Sequence, residues 1–166
     1  MKRRHAAQVL SLALLAAACG SSDDAVVVQP AGCVNGHERV PDAPVAGDLR
    51  VGGAWLAALR DAQRRPWREH WDRHAGAAFF KVGAMIPAGG TLVLSVPPEA
   101  RGLLALDYRE DRRATQTVTL SACHGTYPVV FIPGALRVRR PLCRVPLDWR
   151  YGDERGRLHV SFGRAC

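Results

Sequence analysis

The stretch of this chain richest in chemically capable side chains is PWREHWDRH, residues 66–74. On a helix, His70 and His74 lie one turn apart on one face, a spacing that can grip a metal ion. Asp72 stands two residues from each and on a helix points elsewhere, while Glu69 and Arg73 are placed to pair with each other. The order His-Trp-Asp-Arg-His also lacks the glutamate that an H-E-x-x-H metalloprotease uses as its base. Two histidines without a third ligand favour a solvated polar loop anchored by Trp67 and Trp71 over a metal site on His70, Asp72 and His74. No metal or other cofactor is therefore expected.

Other catalytic patterns fail in the same way. The chain has no G-x-S-x-G elbow, no S-x-x-K and no Walker loop, and the glycines of RVGGAW follow no dinucleotide pattern. His5, His37, His124 and His159 have no partner that spacing can name. The expectation is a protein that is not an enzyme, the alternative being an envelope metal-binding protein or hydrolase using the His70/His74 segment.

The cysteines carry a different chemistry. Five are present, at 19, 33, 123, 143 and 166, so at least one does not pair within the set. None has the C-x₂₋₄-C spacing of a zinc site. Cys19 ends an N-terminal run that begins MKRR and continues HAAQVLSLALLAAA, apolar but for Gln8 and Ser11. A cationic head and an apolar run of about 7–15 residues form an export signal. The run is shorter than the roughly 20 apolar residues needed to span a bilayer.

The residues Leu15-Ala16-Ala17-Ala18-Cys19 resemble the bacterial lipobox, in which a leucine and small residues precede a cysteine that becomes lipid-modified and N-terminal. The resemblance implies a signal peptide over 1–18, lipidation at Cys19, and a flexible tether over 19–32 ahead of a single domain over 33–166. It also implies a location at the outer face of the bacterial cytoplasmic membrane, or secretion, with the membrane as a partner through the anchor. Two or more acyl chains hold a protein stably where one is marginal.

With Cys19 assigned, Cys33, Cys123, Cys143 and Cys166 form an even set in an oxidising setting, where disulfides persist. Four cysteines allow three pairings. The expected one is Cys123–Cys143, closing a compact loop between neighbouring elements, with Cys33–Cys166 tying the start of the domain to its last residue.

The net charge of +8 includes Lys2, Arg3 and Arg4, which leave with the signal; 20 basic minus 15 acidic residues then give +5 for the remainder. Lys2 and Lys81 are the only lysines among the 23 basic residues. Such a surface can attract anionic lipid headgroups, cell-wall polymers or nucleic acid, but a solvated surface with excess arginine is the favoured reading. No basic stretch is interleaved with aromatics as in single-strand binders, so nucleic acid is not an expected partner.

What must position these residues is a sheet. TLVLSV sets Leu92, Leu94 and Val96 on one face; LLALDY does so for Leu104, Leu106 and Tyr108, and TVTLSA for Val118, Leu120 and Ala122. CRVPLDWRY alternates Cys143, Val145, Leu147, Trp149 and Tyr151 against Arg144, Pro146, Asp148 and Arg150, and RLHVSF continues with Leu158, Val160 and Phe162. Period two marks strands with one buried face. PPEARG, IPGA and YGDERG supply turns between them. Pro146 predicts an edge or a bulge in its strand. The first half is less regular: GDLRVGGAWLAAL opens with a strand carrying Leu49 and Val51, residues 60–80 form an excursion with a helical turn or two, and FFKVGAMIPAGG returns as a strand. The fold class is all-β, an antiparallel β-sandwich, immunoglobulin-like or related, of about seven to nine short strands.

Residues 80–166 also resemble an uncharacterised family of small exported proteins of GC-rich bacteria. The features shared are Cys123, the Phe131-x-x-Gly134 turn, Pro141, Cys143, Leu147, Phe162, Gly163 and Cys166. The resemblance implies a disulfide-tied β-sandwich and no particular activity. The functional expectation is a lipid-anchored extracytoplasmic module with a non-catalytic binding or structural role at the envelope, its partner an envelope protein or anionic polymer.

Overall fold

Where apolar residues alternate with polar ones, the chain pairs as sheet, and the pairings sort into three sheets around one core. The structure is a computed structural model and describes residues 26–28 (backbone), 41–108, 113–125 and 127–163. Its strands are β1 (Val26–Val28), β2 (Leu49–Val51), β3 (Ala54–Ala57), β4 (Trp71–Asp72), β5 (Ala77–Lys81), β6 (Gly83–Pro87), β7 (Thr91–Ser95), β8 (Leu104–Asp107), β9 (Thr117–Ser121), β10 (Val129–Ile132), β11 (Ala135–Val138), β12 (Leu142–Tyr151) and β13 (Glu154–Phe162). A helix, α1 (Leu59–Arg64), and 3₁₀ turns at Trp67–His70 and Pro98–Ala100 complete the described residues. The sheets run β1-β9-β7-β12-β13, β10-β6-β3-β2 and β4-β5-β11-β8. Pairing is antiparallel except for β1, which adds to β9 in parallel with Val28 opposite Leu120. Val26–Val28 lie inside the stretch read as a tether, so three of its residues are strand.

All three sheets feed one core. Leu92, Leu94, Leu120, Leu147 and Phe162 come from the first, Val51, Leu56, Ala84 and Ile86 from the second, and Phe80, Leu104, Leu106 and Leu136 from the third. The alternation read from TLVLSV, LLALDY and TVTLSA is met at every position named, Tyr108 included.

The strand count exceeds the expectation because strands bend between sheets. FFKVGAMIP is not one strand: β5 and β6 meet at Val82, and β10 and β11 meet at Pro133-Gly134. These bends are aligned, since β5 pairs β11 while β6 pairs β10, and the Val82 N–H donates to the Gly134 carbonyl. Tyr108, just past β8, lays its ring against Gly134, and its hydroxyl donates to the Val82 carbonyl at 2.7 Å. A Cβ at Gly134 would overlap that ring, which is the reason for glycine there.

The longest hairpin, β12–β13, sets Val145 opposite Val160 and Leu147 opposite Leu158, and turns at Gly152-Asp153 with positive φ at Gly152. The register slips by one residue between Leu142 and Val145. Arg144 takes φ +51° there and its N–H donates to Ser161 Oγ. This bulge corrects the sequence alternation: Leu142, not Cys143, takes the buried position ahead of Val145. Pro146 lies beyond the reach of β7, which pairs β12 only over Asp148–Tyr151, so its missing N–H falls on a one-sided stretch of strand.

The register also corrects the Cys123–Cys143 pairing. Cys123 lies two residues past Ser121, which faces Thr91 at one end of β7. Cys143 lies five residues before Asp148, which faces Ser95 at the other end. At 3.3 Å per residue they stand about 36 Å apart along the sheet, whereas a disulfide needs Cα atoms within about 7 Å. Loop length in the sequence gave no sign of this, because β7 separates the two strands laterally and the chain runs away from the site of Cys123 before reaching β12. The signal at 1–18, Cys19 and the Cys33–Cys166 pairing fall on residues outside those described.

Candidate functional site

Residues 58–76 hold the chemically capable side chains, and a network of short-range bonds decides where they go. The loop before β2 is fastened by Asp48, which is buried and accepts from the Val45 N–H at 3.0 Å and the Ala58 N–H at 2.8 Å. Ala58 sits at φ +57°, so the chain turns sharply from β3 into α1, where Leu59 and Ala62 face the core. Gln63 on α1 accepts the Ser161 N–H at 2.9 Å, covering part of the outer edge of β13. Pro66 holds an extended conformation (φ −61°, ψ 126°) ahead of the 3₁₀ turn at Trp67–His70.

From there the chain does not continue as a helix. Trp71 and Asp72 pair with Ala78 and Ala77 of β5, and one Asp72 oxygen accepts the N–H groups of His74 (2.8 Å) and Ala75 (3.3 Å). Gly76, at positive φ, closes the hairpin. His70 and His74 therefore do not share a helical face. His70 is half-buried with its ring 4.8 Å from that of Phe80, and His74 is exposed in the turn. Asp72 is committed to the turn. Among the described residues no group of three or more His, Cys, Asp or Glu side chains is arranged to hold a metal ion. The physical reason is local: proline and an aspartate-capped turn outcompete helix formation over a stretch this short.

The segment instead builds an aromatic stack. Trp71, 36% exposed, packs 4.7 Å from Trp67; the Trp67 Cβ sits on Gly163, and Phe80 links His70 to Phe162 at 4.3 Å. Of the two tryptophans expected to anchor the loop, Trp67 packs against the core and Trp71 stays at the surface. The indole N–H of Trp67 and Nε2 of His70 are buried without a hydrogen-bond partner.

Two further polar centres escaped sequence reasoning. On the outer face of β8 and β11, Arg137 donates to Asp107 at 2.9 Å through Nε and contacts it at 2.8 Å through a terminal nitrogen, with its guanidinium 4.7 Å from the Phe79 ring centre. On the outer face of β12–β13, Arg157 bonds Asp148 through two nitrogens and Glu99 through one, which holds its guanidinium even more firmly in the charged form. The next pair along that ladder is Arg150 opposite Arg155, both exposed. The signal for these pairs was charge at alternating positions; only the register says which charges meet.

No known protein family, curated protein or solved structure matches the chain.

Proposed function

We propose that this is an exported, lipid-anchored β-sandwich module, tied by disulfides, with a binding or structural role at the cell envelope rather than a catalytic one. The observation that supports the reading best is how the body uses its polar chemistry. Asp48 fastens a loop to α1, Asp72 closes a turn, Asp107 neutralises Arg137, and the Tyr108 hydroxyl holds a bend between sheets. These groups are occupied by structure. The residue of charge left at the surface is basic: Arg150 and Arg155 face each other across a strand pair, where like charges destabilise a ladder. An anionic polymer or acidic protein face laid on β12–β13 offsets that repulsion. No helix of the described residues is long and apolar enough to cross a membrane, and the proposed attachment is through acyl chains on Cys19.

Fractionation tests the anchor. The wild-type chain should sediment with membranes and enter a detergent phase, and Cys19→Ala should move it to the soluble or secreted fraction. Unchanged membrane partition of Cys19→Ala would overturn the anchor.

A further inference from the structure

The strand register does more than exclude one cysteine pairing; it selects another. β1 pairs with β9 in parallel and ends with Val28 opposite Leu120. Cys33 follows Val28 by five residues and Cys123 follows Leu120 by three. Five residues reach at most about 18 Å. Cys123 lies well inside that radius, about three residue rises and one strand spacing from Val28. Cys143 lies outside it. Leu120, Leu92 and Tyr151 are successive neighbours across the sheet, and Cys143 is eight residues further along β12. That is about 30 Å from Val28, more than the reach plus the width of a disulfide.

The other end of the chain is equally constrained. Gly163 bridges Leu142, the neighbour of Cys143, and Cys166 follows Gly163 by three residues. Three residues reach at most about 11 Å. Cys143 is within that radius, whereas Cys123, at the far end of β7, is not.

We propose that the four body cysteines pair as Cys33–Cys123 and Cys143–Cys166, with Cys19 in neither bridge. The first bridge clamps the parallel edge strand β1 onto β9; the second fastens the end of the chain to the bulge in β12. Each forms as two thiols lose two protons and two electrons to an external disulfide, which is reduced to two thiols. The proposal rests on the export reading for its oxidising compartment.

The test is peptide mapping of the full chain, alkylated before reduction, from two preparations: one exported by a bacterial host, and one purified reduced and oxidised with glutathione disulfide. Both should give a Cys33–Cys123 and a Cys143–Cys166 peptide, each lost on reduction, and Cys143→Ser should make Cys166 the only newly alkylated body cysteine. If the host-derived chain is alkylated at all four body cysteines while the oxidised chain gives these two pairs, the export reading fails and the pairing stands. Cys123–Cys143, Cys33–Cys143, Cys123–Cys166 or a bridge to Cys19 as the main product would overturn the pairing, as would the absence of any bridge from both preparations.

Discussion

The Tyr108 hydroxyl donates to the Val82 carbonyl at the point where β5 bends into β6, while the same ring covers Gly134 where β10 bends into β11. One side chain thus holds both strands of a paired ribbon as it passes from one sheet to the next. Tyr108→Phe keeps the ring and orphans a buried carbonyl, and is expected to cost about 1–3 kcal/mol in urea unfolding. Gly134→Ala, which drives a methyl into the ring, should cost at least as much.

Burial also pushes the Tyr108 phenol well above its ordinary value near 10. The folded state therefore resists losing that proton while the unfolded chain gives it up. This contribution to stability is fully present below pH 10 and falls as pH rises above it, by up to about 1.4 kcal/mol per pH unit. Denaturant midpoints measured between pH 9 and 11.5 should fall more steeply for the wild type than for Tyr108→Phe. Parallel curves would contradict the assignment.

Asp48 accepts two backbone N–H groups and so stands for the whole β3–α1 junction. Asp48→Ala should lower stability by about 2 kcal/mol, since both donors lose their partner. Ala58, held at φ +57°, is a residue for which the left-handed conformation costs about 1–2 kcal/mol. Ala58→Gly should be neutral or stabilising by up to about 1 kcal/mol, whereas Gly substitutions elsewhere in the strands should destabilise.

Arg137 and Arg157 separate by burial. Arg137→Ala strips the buried Asp107 of its counter-charge and uncovers Phe79, with an expected loss of about 2–4 kcal/mol. Arg157→Ala breaks an exposed network that water screens, and should leave the unfolding midpoint unchanged.

The histidine segment gives a further expectation. His70→Ala removes a ring packed on Phe80 and should destabilise by about 1–2 kcal/mol, while His74→Ala should stay within about 0.5 kcal/mol. Zinc added and then dialysed away should leave no stoichiometric metal on the wild type. One retained equivalent, lost in the double variant, would restore the metal reading.

The parts of the fold visible in the sequence are those where one face of a strand is wet. Leu92, Leu94, Val118, Leu120, Val160 and Phe162 occupy the positions that their alternation predicts, because water selects the polar residues between them. FFKVGAMI hides its bend because Val82, Ala84, Met85 and Ile86 are all buried, so period two is erased. Met85 belongs to a second apolar cluster with Trp55 and Val129, away from the main core. The bulge at Arg144 shifts the pattern by one residue, which turns Leu142 inward and leaves the sequence alternation before it reading the wrong way. At the candidate site, i,i+4 spacing of His70 and His74 is a statement about a helix, and Pro66 and Asp72 prevent one. The cysteines show the same limit from the other side: loop length is local, while the partner of a cysteine is set by strand order across the sheet.

Attachment through Cys19 is tested most directly by the intact mass and N-terminal sequence of the chain extracted from the membrane fraction. It should begin at Cys19 and carry the added mass of at least two acyl chains, lost on removal of the acyl esters by base. A chain beginning at another residue, or at Cys19 without added mass, would contradict it.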